Sequence, residues 1–140
     1  MDIRIGEEFK RIDIALSRVA NSELATIDLT LAQFPILTLL MESPNRELFQ
    51  KDIEAYLGVS HPTTTGLVKR LQEKGFVETE MSPEDSRMKI VRLTDKGLEI
   101  GKEGTRFGDV AERKMLEGFS EQERTQLASY LKRIQRNLSP

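Results

Sequence analysis

The stretch LGVSHPTTTGLVKRLQEKGFVE, residues 57–78, decides the fold. Ile53, Ala55 and Leu57 suit a short helix, and Gly58 closes it, because glycine accepts the left-handed conformation that ends helices. Ser60 follows as an N-cap whose side-chain oxygen can accept from free backbone amides. Pro62 falls in the next first turn, where a missing N–H costs little. Leu67, Val68 and Leu71 supply the buried face of this second helix, Thr64 joins them despite its hydroxyl, and Gly75 ends it. Two short helices joined through Gly-Val-Ser form a helix-turn-helix.

Immediately downstream, Phe76–Met81 and Lys89–Leu93 read as two strands joined by a turn at 82–88, with Pro83 and Asp85 as its turn residues. Neither turn nor strand asks for cations, yet residues 86–92 hold Arg87, Lys89 and Arg92 and no acid. A β-hairpin behind a helix-turn-helix is a wing. On this reading Asp85, two residues before Arg87, braces it by ion pairing or by capping the turn, and Lys89 and Arg92 back it along the same ladder.

Working outward, Phe9, Ile12, Leu16, Val19 and Ala20 recur at helical spacing. Thr30 is a fitting N-cap for LAQFPILTLL, whose Phe34, Leu37, Leu40 and Met41 form a stripe. Pro35 sits past the first turn of that helix and should kink it or delay its regular start. Residues 42–48 read as a loop. Thr94 caps a long helix reaching about Gly118, and Ser120 with Glu123 makes a capping box for a last helix lined by Leu127, Tyr130, Leu131, Ile134 and Leu138. In the long helix Gly97, Gly101, Gly104 and Gly108 fall on one face, at a cost of about 1 kcal/mol each relative to Ala. Close approach of another helix, a softened shaft, or a helix that is simply weak there would each account for them.

The expected fold class is mostly α with a small β-hairpin wing. One domain spans residues 1–140, with a winged helix-turn-helix core at about 30–97 and flanking helices at about 3–25 and 98–138. Hydrophobic content of 38% and charged content of 31% suit a soluble, helix-rich chain. No apolar run approaches the roughly 18–20 residues that span a membrane, and MDIRIGEEFKRID lacks the apolar core of a secretory signal. A cytoplasmic address is the expectation. With no cysteine there is no disulfide, thiol switch or Cys-based metal site. No metal spacing, nucleophile pair or phosphate loop points to an enzyme, so no catalytic residue, cofactor or metal is expected. A net charge of −2 means that any anion-binding surface is local.

That surface is the outward face of the second helix of the pair. At about 100° per residue, Thr65, Lys69, Pro62 and Gly66 point away from the buried face, with His61 and Arg70 on the flanks. Hydroxyls can bond bases or phosphates, and cations neutralise phosphate charge. The plain alternative is an ordinary solvated surface. His61, the only histidine, is read as DNA-facing, against a pH switch or a merely solvated residue.

These residues carry a resemblance. LGVSHPTTTGLVKRLQEKGFVE followed by SPEDSRMKIVRLTDKG resembles the winged-helix core of the MarR family of bacterial transcription regulators. Asp85, Arg87, Val91, Leu93, Thr94 and Gly97 match the family's D-x-R-x-x-x-V-x-L-T-x-x-G wing pattern. Two departures stand out. Many members carry Arg where this chain has Gly66, which removes one contact, and His61-Pro62 precedes the threonines. The lack of cysteine excludes the peroxide-sensing mode of some members, and a single histidine disfavours a multi-histidine metal sensor.

The resemblance implies a homodimer built from the N- and C-terminal helices, set on the pseudo-palindromic operator of double-stranded DNA and acting as a repressor. It also implies release by a small aromatic or phenolic effector. His61, Pro62, Thr63, Thr65 and Lys69 would then enter the major groove, Arg70 would bind phosphate, and Arg87, with Lys89 behind it, would probe the minor groove. An effector pocket would lie between the second helix and the winged domain, but the sequence names none of its residues. Phe34, Leu37 and Met41 read equally well as core. The rival reading is a winged-helix module that binds protein or RNA instead of duplex DNA.

Overall fold

A computed structural model describes residues 2–140 and divides the chain into two compact units, one up to Gly108 and one from Asp109 to Pro140. The first holds α1 (Ile5–Ala25), α2 (Phe34–Glu42), a short 3-10 turn (Pro44–Arg46), β1 (Glu47–Phe49), α3 (Gln50–Leu57), α4 (His61–Glu73), β2 (Val77–Met81) and β3 (Lys89–Leu93). It also holds most of α5 (Asp95–Met115). The second holds the end of α5 and α6 (Glu121–Leu138).

The helix-turn-helix forms through its own punctuation. Gly58 takes φ +67 and its amide donates to the Glu54 carbonyl, which closes α3. The Ser60 hydroxyl accepts from the Thr63 amide at 3.3 Å and opens α4, with Pro62 in the first turn. At the far end Gly75 has φ +80. The Gly75 and Phe76 amides turn back to the Gln72 and Leu71 carbonyls, the paired bonds of a Schellman cap. Ile53, Leu67, Val68 and Leu71 pack with Ile36, Leu37 and Leu40 of α2 and with Phe76, Val91 and Leu93 as one buried core. Thr64 belongs to it, fully buried, and its hydroxyl donates to the Ser60 carbonyl. Each large apolar side chain so buried contributes about 1.5–3 kcal/mol.

The wing is broader than a hairpin. Three antiparallel strands lie in the order β1-β3-β2, with Val91 paired to both Leu48 and Thr79. The expected loop at 42–48 therefore contains the start of a strand. Its three residues carry no alternation to mark them, and they extend because β3 offers a free edge. The expected ladder of Arg87, Lys89 and Arg92 is also corrected. Side chains three apart on a strand face opposite ways. Arg92 is taken up structurally, with Nε donating to Glu47 of β1 at 2.9 Å and Nη2 to Glu80 of β2 at 3.0 Å.

The start of α2 differs as well. Thr30 does accept from the Gln33 amide, and Gln33 Oε1 accepts from the Thr30 amide, but this reciprocal cap closes a preceding turn. The regular helix begins at Phe34, so Pro35 lies in its first turn, where it is tolerated. Lys74, at the end of α4, donates to the Asp28 carbonyl (2.7 Å) and to Gln33 Oε1 (2.9 Å), pinning that turn to the helix-turn-helix.

The sequence LTDKG is a junction. The Thr94 hydroxyl donates to the Gly75 carbonyl and accepts from the Gly97 amide, so one side chain ends α4's cap and begins α5. A Cβ at Gly97 would run into the Phe76 carbonyl, one at Gly101 into Met41, and one at Gly104 into the Phe34 ring. Close packing of α5 on α2 thus accounts for the stripe at Gly101 and Gly104, while Gly108 meets nothing within 4 Å. Phe34 and Met41 are half-buried here and Leu37 is fully buried. In the second unit α5 stops at Met115, slightly short of Gly118, and the Ser120–Glu123 capping box opens α6.

Candidate nucleic-acid interface

Helix α4 turns its Leu67–Val68–Leu71 face inward, which leaves His61, Pro62, Thr63, Lys69 and Arg70 exposed on the other side. Thr65 is only half-buried, but its hydroxyl is engaged: Gln50 Nε2, from the first turn of α3, donates to it at 2.9 Å. The same Nε2 donates to Glu54 at 3.2 Å. Glu54 in turn pairs with His61 Nδ1. Partial burial pushes the Glu54 carboxyl up, but the hydrogen bonds from His61 and Gln50 and the His61 charge outweigh it and hold the group below the ordinary carboxylate range.

At the wing, Asp85 receives three bonds from Arg87. Its Oδ1 accepts from the Arg87 amide (3.0 Å) and Nε (3.1 Å), and its Oδ2 accepts from Nη2 (3.3 Å). One carboxylate therefore caps the turn and grips the guanidinium, doing both jobs that the spacing suggested. These bonds, led by that from the guanidinium and aided by the charge of Lys51, hold the Asp85 carboxyl below its usual range. The Arg87 side chain is 88% exposed, so it is braced at its base and free at its face.

Helices and wing meet at a cleft of about 280 Å³. His61 and Thr65 line it from α4, Lys51 and Glu54 from α3, and Arg87 and Lys89 from the wing. Lys89 is half-buried there, on the strand face opposite Arg92. Three cations and an imidazole thus surround one opening, with Glu54 as the only acid among its lining residues. The structure brings His61, Thr65, Arg87 and Lys89 together, while Lys69 and Arg70 lie farther along α4, outside the cleft lining. Gln50, Lys51 and Glu54 join the site without any signal in the sequence. The hydrogen bond from Gln50 to Thr65 crosses fifteen residues, and no local spacing announces it.

Among the described residues no group of three or more His, Asp or Glu side chains could hold a metal, and no helix is long and apolar enough to cross a membrane.

The α3–turn–α4 pair with its Asp85-braced wing defines a winged helix-turn-helix protein. A family model described as MarR family matches residues 27–88. Over 134 residues the chain is 25% identical to YybA, an uncharacterised HTH-type transcriptional regulator of Bacillus subtilis, covering 96% of this chain and 88% of that one. It is 34% identical over 104 residues to the HTH-type transcriptional repressor IacR of Pseudomonas putida, covering 67% of this chain and 61% of IacR. Its backbone matches that of S. aureus MepR in a complex with DNA with a TM-score of 0.89, at 25% identity over 98% of this chain and all of the other. In sequence and in fold the chain is thus similar to MarR-family transcriptional regulators.

Proposed function

We propose that this protein is a sequence-specific DNA-binding regulator, a homodimeric repressor that works in the cytoplasm on a pseudo-palindromic operator and is released by a small ligand. The observation that carries the DNA reading is the cationic cleft, where the outward face of α4 and the Asp85-braced Arg87 open side by side. His61, Pro62, Thr63, Thr65 and Lys69 enter the major groove, Arg70 meets phosphate, and Arg87, followed by Lys89, reaches the minor groove. There a narrow A·T-rich stretch attracts a guanidinium. The MepR structure holding DNA and the naming of IacR as a repressor support the same reading.

The exposed face of α1 supports dimerisation. Phe9, Ile12, Leu16 and Val19 form a stripe that stays between 38% and 50% exposed in the single chain. An apolar stripe of that length calls for a partner. Two recognition helices set about one turn of DNA apart are what specific readers of this type use. An aromatic or phenolic effector acts by favouring a dimer whose spacing no longer fits the half-sites. Complete switching requires roughly a 10⁴-fold preference for one state over the other.

The test is binding of the wild type and Arg87→Ala to the duplex upstream of the protein's own gene across a salt series. The wild type is expected to bind with a steep salt dependence from released counterions, and Arg87→Ala to lose about tenfold or more. Equal binding by both removes the wing from the interface. No binding above the nonspecific level, together with capture of RNA or protein, favours the rival winged-helix module.

A further inference from the structure

Gln50 is 4% exposed, and its Oε1 is buried without a hydrogen-bond partner. Its Nε2 meanwhile donates twice, to Thr65 Oγ1 on α4 and to Glu54 Oε1 on α3. The amide cannot turn over to satisfy its oxygen, because only its NH₂ side can face the Glu54 carboxylate. Against the effect of partial burial, bonds from His61 and from Gln50 hold that carboxyl below its ordinary range. An apolar side chain of similar length would leave no orphan acceptor at this position, so packing alone does not explain an amide here.

We propose that Gln50 is a positioning residue for base readout. From the first turn of α3 it holds the Thr65 hydroxyl directly, and through Glu54 the His61 ring, as the two side chains face the cleft. The polarity of the first bond sets what Thr65 can read. Because Gln50 is the donor, the Thr65 hydroxyl keeps its own proton for an outside acceptor. Neighbouring Thr64 differs, since its proton goes to the Ser60 carbonyl. Thr65 is thereby poised toward a base-edge acceptor in the major groove, such as purine N7, guanine O6 or thymine O4. This inference rests on the DNA reading above and deepens it.

The test compares two duplexes of equal length, one selected from a randomised pool by the wild-type protein and one scrambled. Gln50→Met is expected to keep its Tm and its affinity for the scrambled duplex while the ratio of the two affinities falls about tenfold. Thr65→Val lowers the ratio as well, and the double variant lowers it by less than the product of the two, because both changes break one contact. Gln50→Leu also removes the donor, with a shorter apolar side chain and no new charge beside Glu54, so it must show the same loss even if Gln50→Met folds poorly. An unchanged ratio in Gln50→Leu, or a double variant that loses the full product, overturns the role of Gln50 and leaves the DNA reading intact. A wild type that enriches no duplex from the pool overturns both.

Discussion

Immobilising a long, rotamer-rich side chain costs up to about 2 kcal/mol of rotamer entropy, and Asp85 removes part of that cost for Arg87 before any partner arrives. Its two oxygens reach the backbone amide, Nε and Nη2 of a residue only two positions away. Glu54 does a comparable job for His61 from a different helix. Since the Glu54 carboxyl lies below its usual range when folded, its contribution to stability is complete above the unfolded pKa of about 4.3. It is lost as pH falls through the depressed folded value. Thermal melts of the wild type and Glu54→Gln should therefore differ at neutral pH and converge on acidification. A gap that persists unchanged into the acid range would mean that the charge of Glu54 plays no part.

At the scale of elements, the glycines of α5 are not equivalent. Gly97 faces a backbone carbonyl, which cannot swing aside, whereas Gly101 faces the flexible end of Met41. Gly97→Ala is expected to destabilise by at least the 1–3 kcal/mol typical of overpacking, and Gly101→Ala by less. Gly108 has open space around it, so Gly108→Ala should stabilise by about 0.5–1 kcal/mol, the helix propensity difference alone. Urea titration of the three variants orders them, and a destabilised Gly108→Ala would show that something covers that face. Arg92 belongs to this scale too. By joining β1 and β2 across β3 it holds the sheet that carries Arg87, so its work is structural.

At the scale of the whole molecule, α1 exposes more apolar surface than a solitary helix tolerates. Of its residues only Leu24 is buried, and Phe9 and Leu16 remain 38% exposed. Replacing both with glutamate should leave the winged core folded and convert the protein to a monomer, as read by sedimentation equilibrium. Loss of the second half-site should bring operator affinity toward the nonspecific level, roughly 10³-fold or more weaker. A double variant that still sediments as a dimer would move the interface off α1.

Much of the fold and of the site is written locally. Ser60, Gly58 and Gly75 punctuate α3 and α4 through bonds to residues at most five positions away. The Leu67–Val68–Leu71 face follows from helical period alone, and the pairing of Asp85 with Arg87 spans two residues. Such signals survive in a one-dimensional reading because the chain can satisfy them without knowing its tertiary neighbours. The third strand, the clamp of Arg92 on Glu47 and the bond from Gln50 to Thr65 arise differently. They join residues forty-five and fifteen positions apart, and side chains of the same types could have been left solvated. The sequence by itself determined the winged helix-turn-helix and the outward face of α4. Only packing of α3 on α4, and of β1 on β3, decided which polar groups on that face are held and which stay free, because a buried donor takes whatever acceptor the tertiary structure brings within reach.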